Sequence, residues 1–347
     1  MDQVLKGIRV RGASGLLVDL GHIYLSKGVQ VYEWGVDSGG GKEIGRIRKF
    51  GWERFDCHAD LSQRLTRHGF RELARATNSC LLGVVGKSLL KKSPDADEFL
   101  VVFIAMGNGR PKGIVNGESG RVYVGEYALN PKRKLIRIWG ADGKLEKWEN
   151  VFVFKAGSVR HIHNLVWDKY RKGIWILTGD LNGECGLFFT GDGFRTVDEV
   201  VRGGQEYRAC DVFCAPDALY YGTDSELREN WFVRFEPEAG KTEKIQALPG
   251  STLYMNRMAG RYFLSTAVEP SKVNKYRFAT LWQSVDLSKW TKVIEFEKDF
   301  WPGEYFGFGR IVLPKVEGDS PYVVFTPMSV KKYHMTTFIC QPEDLGL

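Results

Sequence analysis

The stretch Ser158 to Asp180, SVRHIHNLVWDKYRKGIWILTGD, places Arg160, His161, His163, Asp168 and Asp180 close together in the chain. Imidazoles titrate near neutrality, ligate metals and move protons. A guanidinium binds carboxylates in a bidentate fork. An aspartate can orient either group or ligate a cation. The set suits an anion, a metal ion or a sugar, and it sits on two runs that read as strands, Ile162 to Trp167 and Gly173 to Thr178, with a turn from Asp168 to Gly173. Side chains on a strand alternate faces, so His161 and His163 share one side while Ile162 and Asn164 take the other.

The elements that must position these groups repeat along the chain. Gly15 to Leu25 and Cys80 to Leu90 share an apolar strand, a glycine and a second strand. Strands decorated with polar residues then recur as Arg121 to Tyr127, His161 to Trp167, Tyr207 to Phe213, Arg261 to Thr266 and Phe306 to Leu313, each read as the opening of a unit. Ala59 to Ala76 carries apolar residues at Leu61, Leu65, Phe70, Leu73 and Ala74, a spacing that predicts a short helical insertion near residues 59–76. Two phosphate-loop lookalikes carry no such function. Gly83 to Ser88 has Leu81 where the first glycine is required, and Gly107 to Gly113 misses the dinucleotide pattern and reads as a turn between units.

Three turns centred on Asp142, Asp192 and Asp286, 50 and 94 residues apart, precede Trp148, Val197 and Trp290. The second gap is twice a repeat of about 47 residues, in the range of propeller blades. These turns, Thr190-Gly191-Asp192-Gly193-Phe194-Arg195-Thr196 above all, resemble the Asp-box, or BNR, motif of sialidase-like propellers. The resemblance covers about two thirds of the chain. It implies an all-β fold, a single β-propeller domain over residues 1–347, of seven blades with six as the other count. Asp boxes cap hairpins on the outside of blades, so the motif speaks to fold more than to chemistry.

Composition agrees with many short strands. The 347 residues include 40 glycines, 12 prolines and 45 aromatic residues (Trp 10, Tyr 14, Phe 21). The net charge of +7 is scattered rather than drawn into a stripe, which argues against a nucleic-acid partner. The six cysteines form no disulfide framework, and Cys210 with Cys214 lacks the downstream pair of a zinc site. The N-terminus MDQVLKGIRVRG lacks an apolar signal region and no run reaches the ~18 residues of a membrane span, so a cytoplasmic protein without membrane association is expected. Composition leaves the oligomeric state open.

In a propeller, polar residues at the inner ends of the strands converge on an axis. The candidates are Glu126, His161, His163, Asp180, Glu269 and Tyr305 for catalysis, with Arg160, Tyr207, Arg208, Asp224 and Arg277 for ligand binding. Two carboxylates among them would serve a glycoside hydrolase. Propeller polysaccharide lyases instead abstract the proton beside a uronate carboxylate with histidine or tyrosine, while an arginine or metal neutralises that carboxylate. His161 and His163 are the candidate ligands of a divalent metal. The expected function is a glycan-active propeller, hydrolase or uronate lyase, with an anionic carbohydrate as ligand. The alternative is a non-catalytic module for glycan or protein binding.

Overall fold

The computed structural model describes residues 6–47, 69–105 and 109–347, and strands dominate it. The chain forms two compact units. One comprises Met1–Leu73, Asp95–Leu100 and Pro249–Leu347, the other Ala74–Pro94 and Val101–Leu248.

The second unit contains three antiparallel four-stranded meanders in chain order. The first runs Arg110–Asn116, Val122–Tyr127, Ile136–Ala141 and Trp148–Phe154. The next is His161–Asp168, Gly173–Gly179, Cys185–Thr190 and Asp198–Gly203, and the last is Phe213–Cys214, Leu219–Gly222, Asn230–Glu236 and Lys241–Leu248. Val115, Ile138, Phe154, Ile162, Leu165, Ile176 and Phe188 interleave as a core between the first two sheets. The hairpin of Leu81–Val85 and Ser88–Lys92 turns at Gly86, whose φ of +55° suits glycine, so the first phosphate-loop lookalike is a β-turn.

The first unit holds meanders at Ser14–Asp19, His22–Lys27, Gln30–Gly35 and Gly40–Ile47, and at Thr252–Met258, Arg261–Thr266, Phe278–Ser284 and Thr291–Glu297. A further sheet joins the two ends of the chain. Ile8–Arg11 pairs antiparallel with Thr336–Cys340, which neighbours Val323–Met328 and then Arg310–Val312. Val10, Phe263, Leu281, Phe325 and Phe338 belong to its core.

One irregularity marks the repeat. The register slips between the third and fourth strands beside Ile138, Leu187, Phe232, Leu281 and Val31, at the same place in five sheets. A bulge kept at one position of each sheet is the sign of a recurring unit.

Several expectations change. Residues 59–68 lie outside the described residues, and Phe70–Arg75 is a strand, not the end of a helix. Six residues offer too little length for a helical period to prevail over sheet pairing. Tyr207 to Phe213 is not one strand. It is a 3₁₀ turn at Gln205–Tyr207 followed by the short strand Phe213–Cys214. Phe306 to Leu313 likewise divides into a helical turn at Gly303–Phe306 and the strand Arg310–Val312. Val122–Tyr127 and Arg261–Thr266 are second strands of their sheets rather than first. The missed opening strand, Arg110–Asn116, lies partly in the glycine-rich segment read as a turn. As the edge of its sheet it accommodates Pro111, and a bulge there places Gly113 at φ +69°.

The three aspartate turns are built from local hydrogen bonds. Asp192 accepts from Thr196 N at 2.9 Å and Thr196 Oγ1 at 2.8 Å, and Phe194 N donates to Thr190 Oγ1 at 3.0 Å. Asp286 Oδ1 accepts from Ser288 N at 2.9 Å, and Asp142 Oδ1 from Lys144 N at 3.1 Å. Each turn has an apolar residue at positive φ that is buried: Phe194, Leu287 and Leu145. Among the described residues no helix is long and apolar enough to cross a membrane.

Candidate functional site

The hairpin His161–Asp168/Gly173–Gly179 carries one cluster at each end. At the turn, the fully buried Asp168 accepts Tyr170 N at 2.8 Å and Arg171 N at 3.1 Å on Oδ1, and Arg171 Nη1 at 2.8 Å and Trp175 Nε1 at 2.9 Å on Oδ2. Burial works against its ionisation, but the bonds from Trp175 and Arg171 prevail and hold the carboxyl below its ordinary range. Asp168 therefore closes its own turn.

At the other end a bulge sets the histidines. His161 pairs with Gly179 and Ile162 with Thr178, but Asn164 pairs with Leu177, leaving His163 as the extra residue. A bulge re-aims the side chain it carries. The two rings stand 4.9 Å apart. Gly179 makes room for them, since a Cβ there would lie 2.8 Å from His163 Cε1 and 3.2 Å from Arg208 Cγ.

Both rings are fixed through Nδ1. His161 Nδ1 lies 2.6 Å from Ala128 O and His163 Nδ1 lies 3.0 Å from Ala209 O. A carbonyl only accepts, so each Nδ1 carries hydrogen when its bond is made, and Nε2 is left to face the cluster. Both Nε2 atoms face Asp180 Oδ1, at 3.0 Å from His163 and 3.4 Å from His161. The second contact lacks hydrogen-bond alignment, so His161 Nε2 is buried with no partner. Burial pushes His161 below its ordinary pKa, with the neighbouring His163 acting in the same direction and Asp180 against it. It is neutral at pH 7.

Asp180 also binds Arg160 Nη1 at 2.8 Å and Arg208 Nη2 at 3.2 Å. Burial alone would raise its pKa, but the hydrogen bonds of the two histidines, and their charge when the rings are protonated, hold it far below the carboxylate range. Arg208, 5% exposed, extends to Asp224 Oδ2 at 3.2 Å and Glu226 Oε1 at 3.6 Å. Gln205 Nε2 fixes Asp180 O at 2.9 Å, and Arg160 Nε donates to Leu129 O at 2.6 Å. Three carboxylates thus meet two guanidiniums.

Other candidates have different surroundings. Glu126 is buried on the neighbouring sheet, where Oε2 accepts Arg137 N and Oε1 accepts Trp139 Nε1, both at 3.0 Å. Its sequence neighbour Tyr127, on the opposite face of that strand, is the one that reaches the cluster, with its ring 4.1 Å from His161. Alternation from Glu126 is the signal that would have found it. Arg110 sits 4.6 Å over the same ring, and burial raises the Tyr127 pKa. Tyr207 packs edge-on against Phe235 at 6.0 Å. Glu269, Arg277 and Tyr305 belong to the other unit, where Glu269 is half-buried and Arg277 and Tyr305 are exposed. An open cleft of about 320 Å³ lies beside the Asp192 turn, lined by Tyr123, Trp167, Lys172 and Arg195, and includes none of the histidine cluster.

The sequence also passed over Cys210 as a ligand. Its Sγ lies 3.3 Å from Asp224 Oδ2 and 3.7 Å from His163 Nδ1. Among the described residues two groups hold ligand atoms close enough for one ion: His161 with His163 and Asp180, and His163 with Cys210 and Asp224.

Neither a protein-family model nor a curated protein matches the chain. Solved structures do. Oligogalacturonate lyase in complex with manganese aligns at TM-score 0.59 and 10% identity, over 93% of this chain and 86% of that one. Streptogramin B lyase aligns at 0.54 and 11%, over 96% and 97%. A chain of the mitotic checkpoint complex aligns at 0.56 and 8%, over 98% and 96%. At such identities the likeness shows the fold alone, which is an all-β propeller.

Proposed function

We propose that this chain is a glycan-active propeller whose site holds a divalent cation on His161, His163 and Asp180 and eliminates across an acidic sugar. One observation carries the reading. Two imidazoles give Nδ1 to backbone carbonyls and bring both Nε2 atoms within 3.4 Å of one carboxylate oxygen, with the Nε2 of His161 lacking a hydrogen bond. Metal-ligating histidines are oriented in this way, and three carboxylates facing two guanidiniums favour a cation. When bound, the ion would neutralise the sugar carboxylate and so acidify the adjacent C–H.

The chain's own groups have separable roles. Arg160, the more exposed of the two arginines on Asp180, offers an incoming carboxylate its first contact. Arg208 and Gln205 hold Asp180 in place. Tyr127 remains protonated and is suited to protonate the departing sugar oxygen, while the acidified C–H proton passes to solvent water. Hydrolysis is less well supported, because Asp180 stays ionised and both oxygens of Glu126 already accept hydrogen bonds. Glycan-related enzymes among the structural neighbours, two of them oligogalacturonate lyases, support the reading at a coarse level. Seven blades in one domain, kinship with Asp-box propellers and a cytoplasmic setting complete the proposal.

The test is Mn²⁺ titration with an elimination assay on acidic oligosaccharides, read as ultraviolet absorbance of the conjugated product. His161→Ala and His163→Ala should lose both signals. A wild-type protein that neither takes up Mn²⁺ nor yields product overturns the proposal. That outcome would favour a glycan- or protein-binding module, for which the four nitrogens already gathered on Asp180 speak.

A further inference from the structure

His163 belongs to two ligand groups at once, and its chemistry prevents a neutral ring from serving both. Nε2 lies 3.0 Å from Asp180 Oδ1 and Nδ1 lies 3.0 Å from Ala209 O. A neutral imidazole has one N–H and one lone pair. With hydrogen on Nδ1, the bond to Ala209 is made and the lone pair faces Asp180 and His161. With hydrogen on Nε2, the bond to Asp180 is made and the lone pair turns to the side where Cys210 Sγ stands 3.7 Å away. Each tautomer keeps one hydrogen bond of similar length.

The Cys210 side has the features of a soft-metal site. Cys210 Sγ contacts Asp224 Oδ2 at 3.3 Å, and Asp224 is 3% exposed. Its Oδ1 is buried without a hydrogen-bond partner. Sulfur, imidazole and carboxylate together favour zinc-like and softer ions, whereas two imidazoles with a carboxylate also suit harder divalent ions.

We infer that His163, Cys210 and Asp224 form a second cation site for a thiophilic divalent ion, exclusive with the His161–His163–Asp180 site because the two share one imidazole. Binding releases the Cys210 thiol proton to solvent and leaves thiolate sulfur on the ion. A soft ion thereby displaces the hard one. This displacement rests on the cation reading proposed above; the thiolate site itself does not.

Cd²⁺ titration of the reduced protein tests it, followed by the thiolate-to-metal ultraviolet band, with bound Mn²⁺ monitored by electron paramagnetic resonance. The wild type should give a band saturating at one equivalent. Cys210→Ser should lack that band while keeping its circular dichroism and Mn²⁺ binding, and Asp224→Asn should weaken Cd²⁺ binding at least tenfold. Cd²⁺ should release Mn²⁺ from the wild type and not from Cys210→Ser. No band, or an equal band in Cys210→Ser, overturns the site. Mn²⁺ that stays bound beside Cd²⁺ overturns the exclusion. A band in a protein that never binds Mn²⁺ removes the first reading and leaves this site standing.

Discussion

The two ends of one hairpin, Asp168 at its turn and Asp180 at its open end, place an aspartate among cationic and N–H groups and reach opposite outcomes. Around Asp168 all four donors come from residues 170–175, and each carboxylate oxygen accepts two hydrogen bonds. Around Asp180 the partners come from Arg160, His161, His163 and Arg208, and an imidazole nitrogen is left over. Local saturation makes a structural joint. Convergence of distant groups with one valence unfilled makes a candidate site.

The largest effect should separate the two ends by stability. Asp168→Ala leaves Arg171 and the Trp175 N–H without their acceptor, and urea unfolding should show a loss of about 3–5 kcal/mol, with Mn²⁺ affinity unchanged. Asp180→Asn should do the reverse in emphasis, lowering Mn²⁺ affinity by more than ~100-fold, as read by calorimetry. An Asp168 variant that loses the ion, or an Asp180 variant that keeps it, would erase the contrast.

Acid should weaken the turn end in a defined direction. The Asp168 pKa is depressed on folding, so its contribution is fully present above the unfolded value of about 3.9 and is lost as pH falls through the lower folded value. The stability difference between wild type and Asp168→Asn should therefore shrink as pH is lowered into that window. A difference that does not vary with pH would contradict the ionised network.

A smaller effect should come from the space between the ends. Gly179→Ala puts a methyl 2.8 Å from His163 Cε1. Overpacking of this kind costs about 1–3 kcal/mol, and the displaced ring should weaken Mn²⁺ binding about tenfold. Unchanged affinity would show that the ring position does not matter. The smallest effect is at the turn, where Lys172 is exposed at φ +50°. Lys172→Gly relieves left-handed strain of about 1–2 kcal/mol against a glycine entropy cost of about 0.5–1 kcal/mol, so thermal unfolding should show a slight gain in stability and no change at the site.

Much of this was legible locally. The hairpin and the aspartate turns depend on residues a few positions apart, and the structure keeps them, whereas His161 and His163 meet across a bulge that interrupts the alternation. The strand Arg110–Asn116 was hidden by Gly109, Pro111 and Gly113, whose turn chemistry outweighs any pattern of alternation. Without it the sheet reads one strand out of step, and the pattern points to Glu126 rather than to Tyr127 on the other face, whose ring meets His161.

By itself the sequence determined the fold class and which polar residues interrupt the strands, because period-two alternation and turn composition act through near neighbours. Only the tertiary structure decided which of those residues meet. The bulge at His163, the room left by Gly179 and the approach of Tyr127, Arg208, Cys210 and Asp224 all follow from how sheets pair and pack. Contacts among residues 127, 163 and 210 are set by that packing, which no local pattern encodes.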